Sequence, residues 1–142
     1  MRFWLCLLVF IAQGARADSA WLTIIGDAGD AGAETVQVDA NSAVLLDENR
    51  LIDVRVSRAG VRTAYDGKPY RSYLSAVVID CRRLTALHRG LTLYAEPLWK
   101  GPARRFEVAD PNDRPMEFRS MAVNPRDRII KAACAIETVK TN

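Results

Sequence analysis

Two cysteines far apart in the chain, Cys81 and Cys134, constrain its fold more than any other feature. Their meaning comes from the N-terminus. Met1-Arg2 precedes an unbroken apolar run over residues 4–12, and Ala15-Arg16-Ala17 puts small residues at the two positions a signal peptidase reads. The run is too short for a bilayer span, which needs about 20 apolar residues. Residues 1–17 therefore read as an export signal cleaved before Asp18. Cys6 leaves with it, and no small-residue box precedes it, so no lipid anchor is expected. Two cysteines in an oxidising compartment allow one intramolecular pairing. The alternatives are two free thiols or a bridge between chains. Closing so long a loop stabilises a fold by roughly 4 kcal/mol in the chain-entropy model. There is no C-x-x-C redox pair and no zinc-type spacing.

Removing residues 1–17 from 142 leaves 125, residues 18–142, which suits a single domain with a real core. Of 20 basic residues, Arg2 and Arg16 go with the signal; 18 remain against 17 acidic residues, a net charge near +1. That balance gives a nucleic-acid partner no support.

Patterning predicts strands first and one helix last. Residues 21–25 are aromatic and β-branched, and residues 34–39 alternate with Val36 and Val38 on one face. Residues 27–32, 41–42, 47–49 and 66–69 are breaks rich in Asp, Asn and Gly. Residues 52–57 alternate apolar with polar, the mark of an antiparallel strand with one wet face. The longest candidate strand, residues 70–81, puts Tyr73, Val77, Ile79 and Cys81 on one face and Leu74, Ala76 and Val78 on the other. It reads as a central strand, covered on both sides near its end. Residues 91–95 make a further strand and residues 106–108 a short one, with irregular connections between Pro97 and Pro125. Asn124 as cap, Pro125 at the first helical position and Asp127 in the first turn then open a helix, with Ile129, Ala132, Ala133 and Ile136 as its apolar stripe. Docked on the sheet, this helix would carry Cys134 to Cys81. The fold class expected is α+β: a single antiparallel sheet with a C-terminal helix packed on it.

No catalytic set, metal site or cofactor site emerges. His88 is the lone histidine, sits beside Arg89-Gly90 in what reads as a loop, and has no nucleophile motif around it; a surface or hydrogen-bonding role is expected. Asp27, Asp30 and Glu34 lack the alternate spacing of a calcium loop and read as a solvated hairpin. Arg82-Arg83, Arg104-Arg105 and Arg126 with Arg128 are basic clusters, and those flanking Cys81 and Cys134 would converge beside the bridge, where they suit an acidic protein segment or an anionic glycan. Interspersed acids make a solvated mixed-charge surface the plainer reading. Trp99, on a loop, suits an interface anchor or a cap on the core edge, whereas Trp21 suits the core.

The layout resembles the surface-adhesin protein E family of Gram-negative bacteria. The resemblance rests on Trp21 close behind a signal peptide, Val38-Asp39 followed by Asn41-Ser42 and Val44, a strand holding Tyr70-Arg71-Ser72 that ends in Asp80-Cys81, and a Pro125-led helix carrying Cys134. The chain departs at residues 118–123, where many relatives carry a tryptophan, and it lacks a lipid-attachment cysteine. The resemblance implies a sheet with a disulfide-tied C-terminal helix, and a non-catalytic binding role in the envelope or outside it; extracellular-matrix proteins such as vitronectin and laminin are partners of the best-known member. The alternative is a structural or accessory periplasmic protein acting through self-association or a periplasmic partner, and an exposed sheet edge allows a homodimer.

Overall fold

The computed structural model describes residues 18–108, 110 and 114–138. The expected export signal, residues 1–17, lies outside the described residues. The described residues form seven strands, one α-helix and a short 3-10 turn at Ala40–Ser42: β1 (Trp21–Ile25), β2 (Thr35–Asp39), β3 (Val44–Leu46), β4 (Asn49–Thr63), β5 (Pro69–Asp80), β6 (Thr85–Tyr94), β7 (Ala103–Glu107) and α1 (Arg126–Ala135). All seven strands lie in one antiparallel sheet ordered β1-β2-β4-β5-β6-β7, with β3 paired to the start of β4. β5 is central, as its composition predicts.

Register sorts the side chains. Val36, Val56, Tyr73 and Leu93 lie opposite one another across four strands, and Val38, Val54, Ser75 and Leu91 form the adjacent inner row. This inner face is the core. It is closed by Ile129, Ile130 and Ala133 of α1 and by Met116, Phe118 and Met121 from the segment before it. Phe118 is fully buried and is the large aromatic side chain of this segment in the core. Burying a side chain of this size contributes roughly 1.5–3 kcal/mol.

The outer row of β5 differs from the expectation of cover on both sides. Leu74, Ala76 and Val78 are half-buried, while Tyr73, Val77 and Ile79 are buried. The helix takes the inner face alone.

The sequence reading also misses the first half of β6. Residues 85–94 form one strand, but Ala76 pairs with Gly90 and Val77 with His88, so Arg89 is an extra residue in the ladder. This bulge shifts the alternation by one. His88 before it and Leu91 after it both face inward, and the period-2 pattern breaks between them. His88 is therefore a buried strand residue and not a loop residue. β3 is too short to show a pattern of its own.

The bridge is intramolecular: Cys81 and Cys134 are bonded with their Cα atoms 5.8 Å apart, closing a separation of 53 residues. It joins the end of β5 to the last turns of α1. Arg50 of β4 reinforces the same corner. Its Nη1 donates to the carbonyls of Ala133 (3.0 Å) and Ile136, placing a cation at the negative end of the helix. At the other end Asn124 Oδ1 accepts the Arg126 amide at 2.9 Å, although Pro125 rather than Asn124 occupies the cap position. The expected start is displaced by one residue.

Candidate functional site

Three places collect polar chemistry, and they differ in how their side chains are held.

The first is the basic edge beside the bridge. The turn after β5 is formed by Asp80, whose Oδ1 accepts the amides of Arg82 and Arg83 at 2.9 Å each. Arg126 reaches across from α1 to donate to the Leu84 carbonyl at 2.9 Å, so the clusters around the two cysteines do converge. They converge among acids. Arg82 pairs with Glu48, Arg83 lies 3.8 Å from Asp80, and Arg126 lies 2.9 Å from Asp127. Arg128 stands exposed on the first turn of the helix. These are exposed pairs, each contributing on the order of 0–1 kcal/mol, and together they make a mixed-charge rim. Arg104, from the third cluster, is otherwise employed: its guanidinium grips both carboxylate oxygens of Asp66, at 2.9 and 3.2 Å, and holds the Asp66 carboxyl below its ordinary range. It pins the β4–β5 turn. The loop carboxylates Asp27 and Asp30 cap their own turns, accepting from Gly29 and Gly32, and Glu34 pairs with Arg58 and Arg62.

The second place is on the outer face of the sheet. Arg55 of β4 projects there, and its guanidinium carbon sits 4.1 Å from the Trp21 ring centroid and 3.8 Å from that of Trp99. A cation is thus held between two indoles. Each contact is worth about 0.5–2 kcal/mol, depending on how far it is desolvated. Hydrogen bonds fix the planes. Gln37 on β2 donates Nε2 to Thr23 Oγ1 (2.9 Å) and accepts Arg55 Nε at Oε1 (2.7 Å). Trp99 comes from the β6–β7 loop, which folds back over the sheet. The Leu98 amide donates to Ser57 Oγ and the Trp99 amide to Ser72 Oγ, both at 2.9 Å, and Trp99 Nε1 donates to the Tyr73 carbonyl at 3.2 Å. Holding the loop there puts Leu98 and Trp99 at φ 55° and 60°, a left-handed backbone that costs about 1–2 kcal/mol per residue outside glycine. Gly101 completes the turn at φ 77°, where an added Cβ would lie 2.8 Å from Glu96 Cγ. Burial lowers the Arg55 pKa and Asp39 opposes that shift; burial, then Asp39, raises the Asp53 carboxyl. Asp39 itself accepts the amides of Ala20 and Asn41 at 2.8 and 3.0 Å. Among the described residues nothing accepts from the terminal nitrogens of Arg55. Beside the stack, Val44, Leu51, Val78 and Leu87 form an apolar cross-strand row on the same face.

The third place is a half-open cleft of about 490 Å³ on the inner face, under residues 114–120 and beyond the reach of α1. His88 lines it. Ser75 Oγ lies 2.6 Å from His88 Nδ1, and burial pushes the imidazole down to about 4, so it is neutral at physiological pH. Among the described residues this serine–histidine contact has no acidic orienter; Ser75 is enclosed in the sheet, while the His88 ring also borders the cleft. Catalysis by such a pair requires a reachable nucleophile and an oriented base, and Ser75 is fully buried.

Of the residues singled out from sequence, the structure brings Arg82, Arg83 and Arg126 to one edge, and it leaves Trp99 remote from them on the outer face. Trp21 joins Trp99 there and is not a core residue. Arg55 was missed because alternation alone marks it as one more outward polar residue of β4. Only the fold-back of the loop shows that two tryptophans, 78 positions apart, meet on it.

Among curated proteins and among solved structures, nothing matches this chain. The family model of surface-adhesin protein E matches residues 21–135, from the first residue of β1 to the last of α1. The chain belongs to the surface-adhesin protein E family.

Proposed function

We propose that this protein is a non-catalytic binding module, exported by cleavage before Asp18 and not lipid-anchored, that recognises its partner through the outer face of the sheet. Membership of the family implies an exported or envelope protein, and no helix among the described residues is long and apolar enough to cross a membrane. The observation that carries the reading is the Trp21–Arg55–Trp99 stack. Tryptophan and arginine dominate binding hot spots, and here both are held by neighbouring hydrogen bonds with the guanidinium's outer nitrogens unspent. A carboxylate presented by a protein partner matches those nitrogens bidentately, and the apolar row Val44–Leu51–Val78–Leu87 supplies adjoining area. The basic edge of Arg82, Arg83, Arg126 and Arg128 is the second candidate surface, for an anionic glycan. It ranks lower because its charges are largely spent on neighbouring acids.

The test is binding of the purified oxidised chain to immobilised laminin, vitronectin and heparin. Arg55→Met is expected to weaken capture on the protein surfaces at least tenfold, with Arg82→Glu/Arg83→Glu changing it less than threefold. The reverse ranking, or capture on heparin alone, moves recognition to the basic edge. Failure to bind any of the three, together with a soluble periplasmic pool on fractionation of the producing cell, favours the accessory role; the open edges at β1 and β7 suit self-association in that case.

A further inference from the structure

The cleft on the inner face is independent of the Arg55 surface, and its wall carries unspent hydrogen-bonding groups. Tyr73 and His88 are each 7 % exposed, and their rings meet edge to face with centroids 6.3 Å apart. The His88 Nδ1 is taken by Ser75, but its Nε2 and the Tyr73 hydroxyl have no hydrogen-bond partner among the described residues. Neither atom is sealed into the protein as a buried orphan. Both residues line the cleft. Around them the lining is Leu91, Leu93, Phe106 and Phe118, with Tyr70 alongside. The cleft thus has an apolar floor under a polar rim of Arg58, Arg114, Glu117 and Arg119, and its 490 Å³ falls within the ordinary range of about 300–1,000 Å³ for a small-ligand site.

We infer that this cleft binds an uncharged aromatic or alicyclic ring bearing a hydroxyl group, held by the Tyr73 hydroxyl and His88 Nε2.

Charge decides the class. Three arginines line the cleft, which at first sight favours an anion, but each is engaged. Arg58 Nε lies 3.0 Å from Glu34 Oε2, an ion pair out of line for a hydrogen bond, and its Nη2 donates to Ser120 Oγ at 2.7 Å. Arg114 lies 4.4 Å from the Tyr65 ring centroid, and Arg119 pairs with Glu117. The floor between them is desolvating: burial raises the Tyr73 hydroxyl and lowers the His88 imidazole, so both groups stay neutral there. The same medium penalises a charged ligand group. A neutral hydroxyl can donate or accept, and so suits either tautomer of His88 while accepting from Tyr73. It replaces the water these atoms would otherwise hold, which costs little when its hydrogen bonds are reproduced.

The test uses two ring systems of equal skeleton, 1-naphthol and 1-naphthoate, titrated by calorimetry into the oxidised full chain at pH 7.5. Naphthol is expected to bind saturably, at least tenfold tighter than naphthoate. Tyr73→Phe removes one hydroxyl from a buried ring and should weaken naphthol about three- to tenfold, the equivalent of one hydrogen bond. Ala64→Trp, on the turn after β4 and lining the cleft, should abolish binding by filling it, with the unfolding transition unchanged. Tighter binding of naphthoate, undiminished binding by Ala64→Trp, or no saturation at millimolar naphthol overturns the proposal. Retained affinity in Tyr73→Phe overturns the assignment of the hydroxyl.

Discussion

On the inner face of the sheet, Val36, Val38, Ile52, Val54 and Val77 vanish completely beneath α1 and the segment before it. On the outer face the same strands present Gln37, Asp53 and Arg55, held by indole stacking, a glutamine relay and a loop in strained backbone. The inner face is stabilised by area, which is additive and indifferent to direction. The outer face is stabilised by geometry, in which each group depends on its neighbour. The strain accepted at Leu98 and Trp99 serves no core. It accompanies the placement of one indole over Arg55, and strain of that kind is one mark of a candidate site.

The contrast can be broken from either side. The largest effect belongs to the inner face: Phe118→Ala should cost about 3–5 kcal/mol in denaturant unfolding, while Leu74→Ala on the half-buried outer side should cost well under half as much. Equal losses would mean that the outer face is a second core. The bridge comes next. Cys134→Ser should remove about 2–5 kcal/mol, and the native protein should show no alkylatable thiol by intact mass; ready alkylation of Cys81 would contradict the pairing.

The third test uses pH. His88 titrates at about 4 in the folded chain and near 6.5 when unfolded. Above about 6.5 both states are neutral and the fold keeps its full stability. As pH falls towards about 4 the unfolded chain takes up a proton that the folded one refuses, so stability declines by roughly 3 kcal/mol across that window. Asp53, raised by burial, works in the opposite sense, so the comparison is the difference in slope between the wild type and His88→Gln. An identical slope would mean that burial does not depress the His88 imidazole. Smaller still, Arg55→Met should cost about 1–2 kcal/mol of stability, well below its effect on binding. Smallest, Arg82→Glu with Arg83→Glu should stay within about 0.5 kcal/mol, since exposed ion pairs contribute little.

The strong periodicities carried most of the fold. The even positions of 52–56 and the odd positions of 73–79 lie on the inner face as their alternation requires, and the Pro125-led helix brings Cys134 to the end of β5. What failed has a physical reason in each case. The bulge at Arg89 moved the inward set of β6 by one residue, so a strand with His88 in its middle read as a loop followed by a short strand. Trp21 reads as core because a tryptophan at a strand start usually is; its true neighbour, Arg55, is 34 residues on and two strands over, across β2. The Arg82–Arg83 edge was legible as a cluster, but its neutralisation by Glu48 depends on the β3–β4 turn lying against the β5–β6 turn, which residue order does not show.

The most direct test of recognition through the outer face is photocrosslinking from defined positions. A benzophenone side chain at Thr92, in the outer row that runs from Arg55 through Leu74, is compared with one at Arg82 on the basic edge and one at Arg119 beside the cleft. Each chain is irradiated on immobilised laminin and vitronectin and in intact producing cells. Adducts from Thr92, absent when Arg55→Met is added and absent from positions 82 and 119, are the result expected. Adducts from position 82 alone, unaffected by Arg55→Met, would contradict the account and return recognition to the basic edge.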